Sequence, residues 1–126
     1  MKIKEYVANI EKLTLKNNYY RKVLFTGLRE QLVLMSLKPK EDIPLEVHNN
    51  VDQFIRIESG NAEIIVNGKK HFLSDGDAII IPSESKHYVV NKSSSKKLKL
   101  NTIYATPEHP KGTIHKTRAD ALKHKH

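Results

Sequence analysis

Glu46, His48, Asp52 and Gln53 fall within one short stretch, "PLEVHNNVDQF", between the apolar runs "LVLMSL" and "FIRIESG". A carboxylate, an imidazole and an amide so placed are either an ordinary polar turn or half of a metal site. Side chains two apart on a strand share a face, so Glu46 and His48 can aim ligand atoms at one point. The other half of such a site needs a ligand that enters a strand after a turn. "GDAIIIPSESKHYVVN" offers one: Gly76 and Pro82 mark the turns, His87 opens the next apolar run and Asn91 closes it. His87 and Val89 then face the same interior as Glu46 and His48. The chain has no cysteine. That excludes disulfides, thiolate sites and cysteine nucleophiles, and leaves His, Asp, Glu or neutral oxygens as metal ligands.

These residues need strands to hold them, and the sequence supplies short β-type runs at close spacing. "YYRKVLFTG" ends at Gly27 and "EQLVLMSLKP" at Pro39. "QFIRIESGNAEIIVNGKKHFL" reads as two successive hairpins, turning at "SGN" and at Asn67-Gly68, a strong two-residue hairpin signal. "GDAIIIP", "KHYVVN" and "KLKLNTIYA" follow. Roughly eight strands without an intervening helix predict an all-β sandwich or small barrel. "LVLMSL" and "AIII" hardly alternate, which predicts burial on both faces, between sheets or in a dimer contact. A short helix is expected from about Lys116. The boundaries read as an N-terminal extension over 1–18, a barrel over 19–108 and a basic tail over 109–126.

The chain of 126 residues carries a formal charge of +8, which raises the question of nucleic acid. Its placement answers against it. "KSSSKKLK" holds four positive charges and the segment from His109 to His126 a net four, so the body is balanced. Both segments read as solvated lysine-rich stretches, and aromatic residues are not interleaved with them. No run approaches the roughly 20 apolar residues of a membrane span. The charged start lacks the apolar centre of a secretory signal. A cytoplasmic location is the expectation.

The two polar segments resemble the paired motifs of the cupin superfamily. These are usually written G-x5-H-x-H-x3,4-E-x6-G and G-x5-P-x-G-x2-H-x3-N. "EVHNNVDQFIRIESG" is similar to the first from Glu46 to Gly60, and "GDAIIIPSESKHYVVN" to the second from Gly76 to Asn91. Glu46 stands where the first His is usual, Gln53 where Glu is usual, and Glu84 where a Gly follows the proline. The glycine that usually opens the first motif is absent. The chain as a whole resembles small single-domain cupins labelled mannose-6-phosphate isomerase-like, a family name that does not fix an activity.

The resemblance implies a jelly-roll-type cupin barrel and one divalent ion held by Glu46, His48, Gln53 and His87. Two imidazoles and a carboxylate suit iron, manganese, nickel or zinc alike and leave positions open. A neutral amide at Gln53 leaves the ion about one net positive charge, favouring a small anionic or polyhydroxy ligand. On "KLKLNTIYA", Leu98, Leu100, Thr102 and Tyr104 share a face, so Tyr104 is expected to point inward as a proton donor or as core. Tyr20, Arg21 and Met35 are expected to line the same pocket, with Arg21 suited to a carboxylate or phosphate. Asp52 and His71 read as turn and hairpin-surface residues, and Pro82 and Asn91 as structural. The expected function is isomerase-like chemistry on a small sugar-like or organic-acid substrate. A non-catalytic ligand- or metal-binding barrel and an iron-dependent dioxygenase are the alternatives. A homodimer is expected, covering Phe54 and neighbouring outward apolar residues.

Overall fold

The computed structural model describes residues 2–123. Among them ten strands form two antiparallel sheets, with a short helix near each end. In chain order these are α1 (Ile10–Lys16), β1 (Arg21–Thr26), β2 (Gln31–Leu37), β3 (Asp42–Glu46), β4 (Asp52–Ser59) and β5 (Asn61–Val66). β6 (Lys69–Ser74), β7 (Ala78–Ile81), β8 (His87–Val90), β9 (Leu98–Ala105), β10 (Ile114–His115) and α2 (Arg118–Lys123) follow. The larger sheet runs β10-β1-β2-β9-β4-β7 and the smaller β3-β8-β5-β6. The expected all-β jelly-roll barrel with a short C-terminal helix is what the chain forms. No described helix is long and apolar enough to cross a membrane.

The core lies between the sheets. Met35, Leu37, Ile55, Ile57, Ile64, Leu98 and Leu100 are fully buried there. The second face of β2 is buried as well, but by the chain itself. Leu34 and Ser36 on that face are as hidden as Val33 and Met35 on the other, because α1 lies across β2, β9 and β4. Asn9 caps this helix by accepting from the Lys12 N–H at 3.0 Å. Thr14, its one buried residue, accepts from Asn101 Nδ2 at 3.1 Å, and Asn101 also donates to the Glu58 carboxylate at 2.9 Å. So the N-terminal extension is the outer layer over the larger sheet. β7 behaves otherwise: Ile81 is buried inward, but Ile80 is exposed on the outer face of an edge strand.

The Asn67-Gly68 turn forms as expected. Both residues have positive φ, 49° and 84°, as the mirror-image hairpin turn requires, and Val66 pairs with Lys69. The "SGN" turn is different. β4 and β5 belong to different sheets and do not pair. Gly60, at φ 104°, is a corner at which the chain leaves one sheet for the other.

Of the segment 109–126, expected as a solvated basic tail, the described residues 109–123 run back onto the barrel. Ile114 and His115 pair with Lys22 and Arg21 of β1, and His109 and His115 are buried. Arg118, at the start of α2, grips the Asp42 carboxylate of β3 through Nη2 at 2.7 Å and Nε at 2.8 Å. His124 and His126 lie outside the described residues.

The structural roles expected for the second motif's asparagine and turn residues hold. The Asn91 amide donates to the Leu37, Lys38 and Lys96 carbonyls, tying the end of β8 to the end of β2 and to the loop before β9. Glu84 occupies a left-handed conformation, φ 69°, where the motif usually has glycine. A side chain there costs roughly 1–2 kcal/mol, and glycine's extra unfolded-state freedom offsets part of that. Glu84→Gly is expected to raise stability by about 0.5–1 kcal/mol, measured by denaturant unfolding. An unchanged or lowered midpoint would show that the Glu84 side chain contributes contacts of its own.

Candidate metal centre

Glu46 reaches the interior through an irregularity in β3. Ile43 pairs with Val89 and Glu46 with His87, so three steps on β3 match two on β8. Strict alternation from the buried Ile43 would turn Leu45 inward and Glu46 outward. The slipped register reverses this: Leu45 is exposed, and the Glu46 carboxylate faces the histidines. An extra residue in one strand commonly re-aims a side chain in this way. His48 follows the strand and is held by its own backbone, since its carbonyl accepts from the Glu84 N–H at 2.8 Å. His87 opens β8 and is buried.

The three side chains converge. One ligand atom from each of Glu46, His48 and His87 lies within 4.8 Å of the others. Glu46 Oε1 is 3.6 Å from His48 Nε2 and 3.9 Å from His87 Nε2. The imidazole rings are 5.1 Å apart between centroids. Each ring is oriented from behind. His87 Nδ1 lies 3.1 Å from the Ser85 carbonyl, which can only accept, so Nδ1 carries the proton and Nε2 keeps its lone pair. His48 Nδ1 lies 3.3 Å from Glu108 Oε1, with the same consequence when that contact is a hydrogen bond. A backing acceptor that fixes the tautomer is the usual arrangement for a metal-binding histidine.

Both Nε2 atoms are buried without a hydrogen-bond partner, and so is Gln53 Oε1. Gln53 donates its Nε2 to Thr102 Oγ1 at 3.0 Å, which leaves the amide oxygen as its open atom. Its register partner is Tyr104, whose ring meets His48 edge-on at 5.7 Å. Buried polar atoms are rarely left unpaired. Two imidazole nitrogens, an amide oxygen and a carboxylate left open in one interior are a donor set that fits a divalent cation.

The charges of the site are coupled. Burial opposes the Glu46 charge, yet His48 beside it, with Arg21 and His87, holds the carboxyl below the usual carboxylate range. Burial opposes a proton on His48, but Glu46 and Glu108 outweigh it and raise its pKa. Burial lowers that of His87, only partly countered by the Ser85 carbonyl. Tyr104, fully enclosed, is pushed up by desolvation and stays protonated.

Tyr20, Arg21 and Met35, the other expected pocket residues, are all buried. Tyr20 is buried and donates its hydroxyl to the Asp42 carbonyl at 2.7 Å. Arg21 and Met35 are neighbours on the β1–β2 ladder. Met35 packs in the apolar core and brings no polar group to the centre. Asp52 caps the 82–85 turn by accepting from the Ser83 N–H at 2.9 Å. Three residues that the sequence did not single out join the interior. Glu108 backs His48, His109 meets the Tyr104 ring edge-on at 5.2 Å, and His115 lies against Arg21. All three come from the segment after β9, where no strand pattern marks which side chains turn inward.

The family model described as a cupin domain matches residues 33–104, more than half of the chain. The chain belongs to the cupin family. An uncharacterized protein of Acanthamoeba polyphaga mimivirus is 51% identical over 113 residues, 86% of this cupin and 70% of that protein. The uncharacterized protein YrkC of Bacillus subtilis is 45% identical over 125 residues, 94% of this cupin and 67% of YrkC. The crystal structure of BH2720 from Bacillus halodurans is 38% identical and superposes with a TM-score of 0.91 over 96% of both chains. The matched region includes all four expected ligands. The flanks supply α1, β1, Glu108 and β10.

Proposed function

We propose that this cupin is a divalent-metal-dependent enzyme that moves a proton at the carbon beside a carbonyl of a small organic-acid or sugar-like substrate. One observation carries the reading: the buried, unpartnered Nε2 atoms of His48 and His87 converge with the Glu46 carboxylate. Glu46, His48 and His87 would hold the ion, with the Gln53 amide oxygen as a fourth donor. When bound, such an ion polarises a substrate carbonyl and makes the neighbouring C–H more acidic. The chain's own groups then orient and protect. Glu108 and the Ser85 carbonyl keep the two imidazoles turned the same way. Tyr104 presents an O–H rather than an oxyanion, suited to donating a hydrogen bond to a substrate oxygen. The side chains of Glu46 and Glu108, at 29% and 24% exposure, mark the open side of the centre.

The test is a two-step measurement. Protein reconstituted with manganese, iron, nickel or zinc is first assayed for stoichiometric metal. It is then incubated in deuterated water with 2-oxo acids, uronates and sugar phosphates, and exchange of the α-hydrogen is followed by NMR. Exchange by the loaded protein, reduced about 10²–10⁴-fold in Tyr104→Phe, is the expected result for a phenol that takes part in proton transfer. Ligand binding without exchange for all four metals would identify a non-catalytic barrel. Oxygen uptake confined to the iron form would identify a dioxygenase.

A further inference from the structure

Arg21 is a buried cation with no buried anion to match it. It is 6% exposed, on β1, and its Nη1 lies 3.1 Å from His115 Nδ1. A guanidinium only donates, so His115 accepts at Nδ1, carries its proton on Nε2 and is neutral. The guanidinium carbon also lies 5.5 Å from the centroid of the Tyr20 ring. Arg21 Nε has no hydrogen-bond partner. Among the described residues no carboxylate lies within ion-pair distance of Arg21. The acids on this side of the barrel are engaged elsewhere: Asp42 with Arg118, Glu108 with His48, and Glu46 with His48 and His87.

A guanidinium so enclosed is costly unless an anion completes it. Here the cost is met by building, since β10 returns to the sheet and sets His115 on the rung of Arg21. Arg21 also faces the barrel interior: it is the register partner of Met35 and shares the buried face of β1 with Val23, both in the apolar core, and its charge helps to lower the Glu46 carboxyl. A divalent ion and Arg21 bring three positive charges to this interior, and Glu46 removes one. The two imidazoles, once ligating, and Gln53 are neutral, and Glu108 sits partly in water at the open side. A ligand with two negative charges balances the remainder.

We propose that Arg21, steadied by His115, is the anion-binding end of the interior site. Its ligand is a small acid with two anionic ends. One end, with a neighbouring oxygen, faces the metal ligands, and the other, a carboxylate or a phosphate, is held by the Arg21 fork. This rests on the metal-dependent reading above and narrows its substrate to small acids with two anionic ends.

Calorimetry on manganese-loaded protein tests it with two matched pairs of 2-hydroxy acids. Malate is set against 2-hydroxybutyrate, and 3-phosphoglycerate against glycerate. Each pair shares its chelating end and differs in the second anion. In the wild type at least one of the two doubly ended acids, malate or 3-phosphoglycerate, is expected to bind about ten- to a hundredfold tighter than its partner. In Arg21→Gln that preference should fall to less than about threefold, with the monoanion's affinity unchanged. The pair that shows the preference tells carboxylate from phosphate. No preference in either pair, or a preference that survives in Arg21→Gln, overturns the proposal. Metal content is read first on the same samples. If manganese is absent, the metal-dependent reading fails alone, and the pairs are run on the metal-free protein, where Arg21 should still set the preference. If Arg21→Gln does not fold, Arg21→Lys is read instead. It keeps the charge but loses the fork, and is expected to weaken the preference about fivefold; an unchanged preference overturns the proposal.

Discussion

His87→Ala is expected to lower divalent-metal affinity at least about a hundredfold while leaving the barrel folded. The ring is buried, its Nδ1 is engaged by the Ser85 carbonyl, and its Nε2 points at Glu46 without a partner of its own. Removing it therefore takes away a ligand and leaves the core strands untouched. Glu108→Gln grades the effect, because Glu108 touches only the back of His48. Residues that orient a ligand typically contribute about 10–100-fold to metal affinity, so a loss of about tenfold is expected there. Competition against a chromophoric chelator measures both. His124 and His126 are replaced with Gln in every sample, so that their imidazoles bind no metal. Wild-type affinity in His87→Ala would place the ion elsewhere. Equal losses in both variants would mean that Glu108 is itself a ligand.

The second large effect concerns folding. Gly60→Ala is expected to destabilise the protein by about 3 kcal/mol, or about 10 °C in the melting temperature of a domain this size. Two costs combine. The backbone at φ 104° is one that side chains rarely adopt, which costs about 1–3 kcal/mol. A Cβ there would also lie 2.7 Å from the Lys97 carbonyl oxygen and 3.2 Å from Leu98 Cα, backbone atoms where the chain enters β9. Gly68→Ala separates the costs. It shares the positive φ, at 84°, but a Cβ there meets nothing within 4 Å, so about 1 kcal/mol is expected. Similar losses at both positions would mean that the corner gives way and that the contact with β9 contributes nothing.

The contrast between these two glycines also shows what the sequence made legible. Both sit in turns flanked by β-type runs, and both were expected to close hairpins. The Asn67-Gly68 dipeptide specifies its turn locally, so the expectation holds. Gly60 is defined by the Lys97 carbonyl, which is far along the chain, and nothing in "SGN" records that. Glu46, His48 and His87 were readable because two-residue alternation and motif spacing place them. The slipped register that turns Glu46 inward was not read, although Pro44, which has no N–H for the ladder, is a residue type confined to strand edges and bulges. The double burial of "LVLMSL" was read correctly as burial, but its cover is α1, a seven-residue helix too short for a clear periodic signal. His109 and His115 were hidden for a related reason. A two-residue strand has no alternation to read, and the lysines around it suggested a solvated tail.

The family match, residues 33–104, and the interior it helps to enclose do not share boundaries. The candidate metal ligands Glu46, His48, Gln53 and His87 fall inside the match. Arg21 lies ahead of it, and Glu108 and His115 lie behind it, joined across β1 and β10 by an antiparallel pairing. The chain's two flanks thus meet in space along the β1–β10 ladder, on one side of the barrel interior. In a chimera, exchanging 33–104 between two cupins would transplant the metal centre but leave the host's Arg21–His115 pair behind. Exchanging the flanks as a matched pair would do the reverse. On the proposed reading, cofactor choice and ligand choice would be inherited on separate stretches of one small chain, and a graft would succeed only if both ends of it travel together.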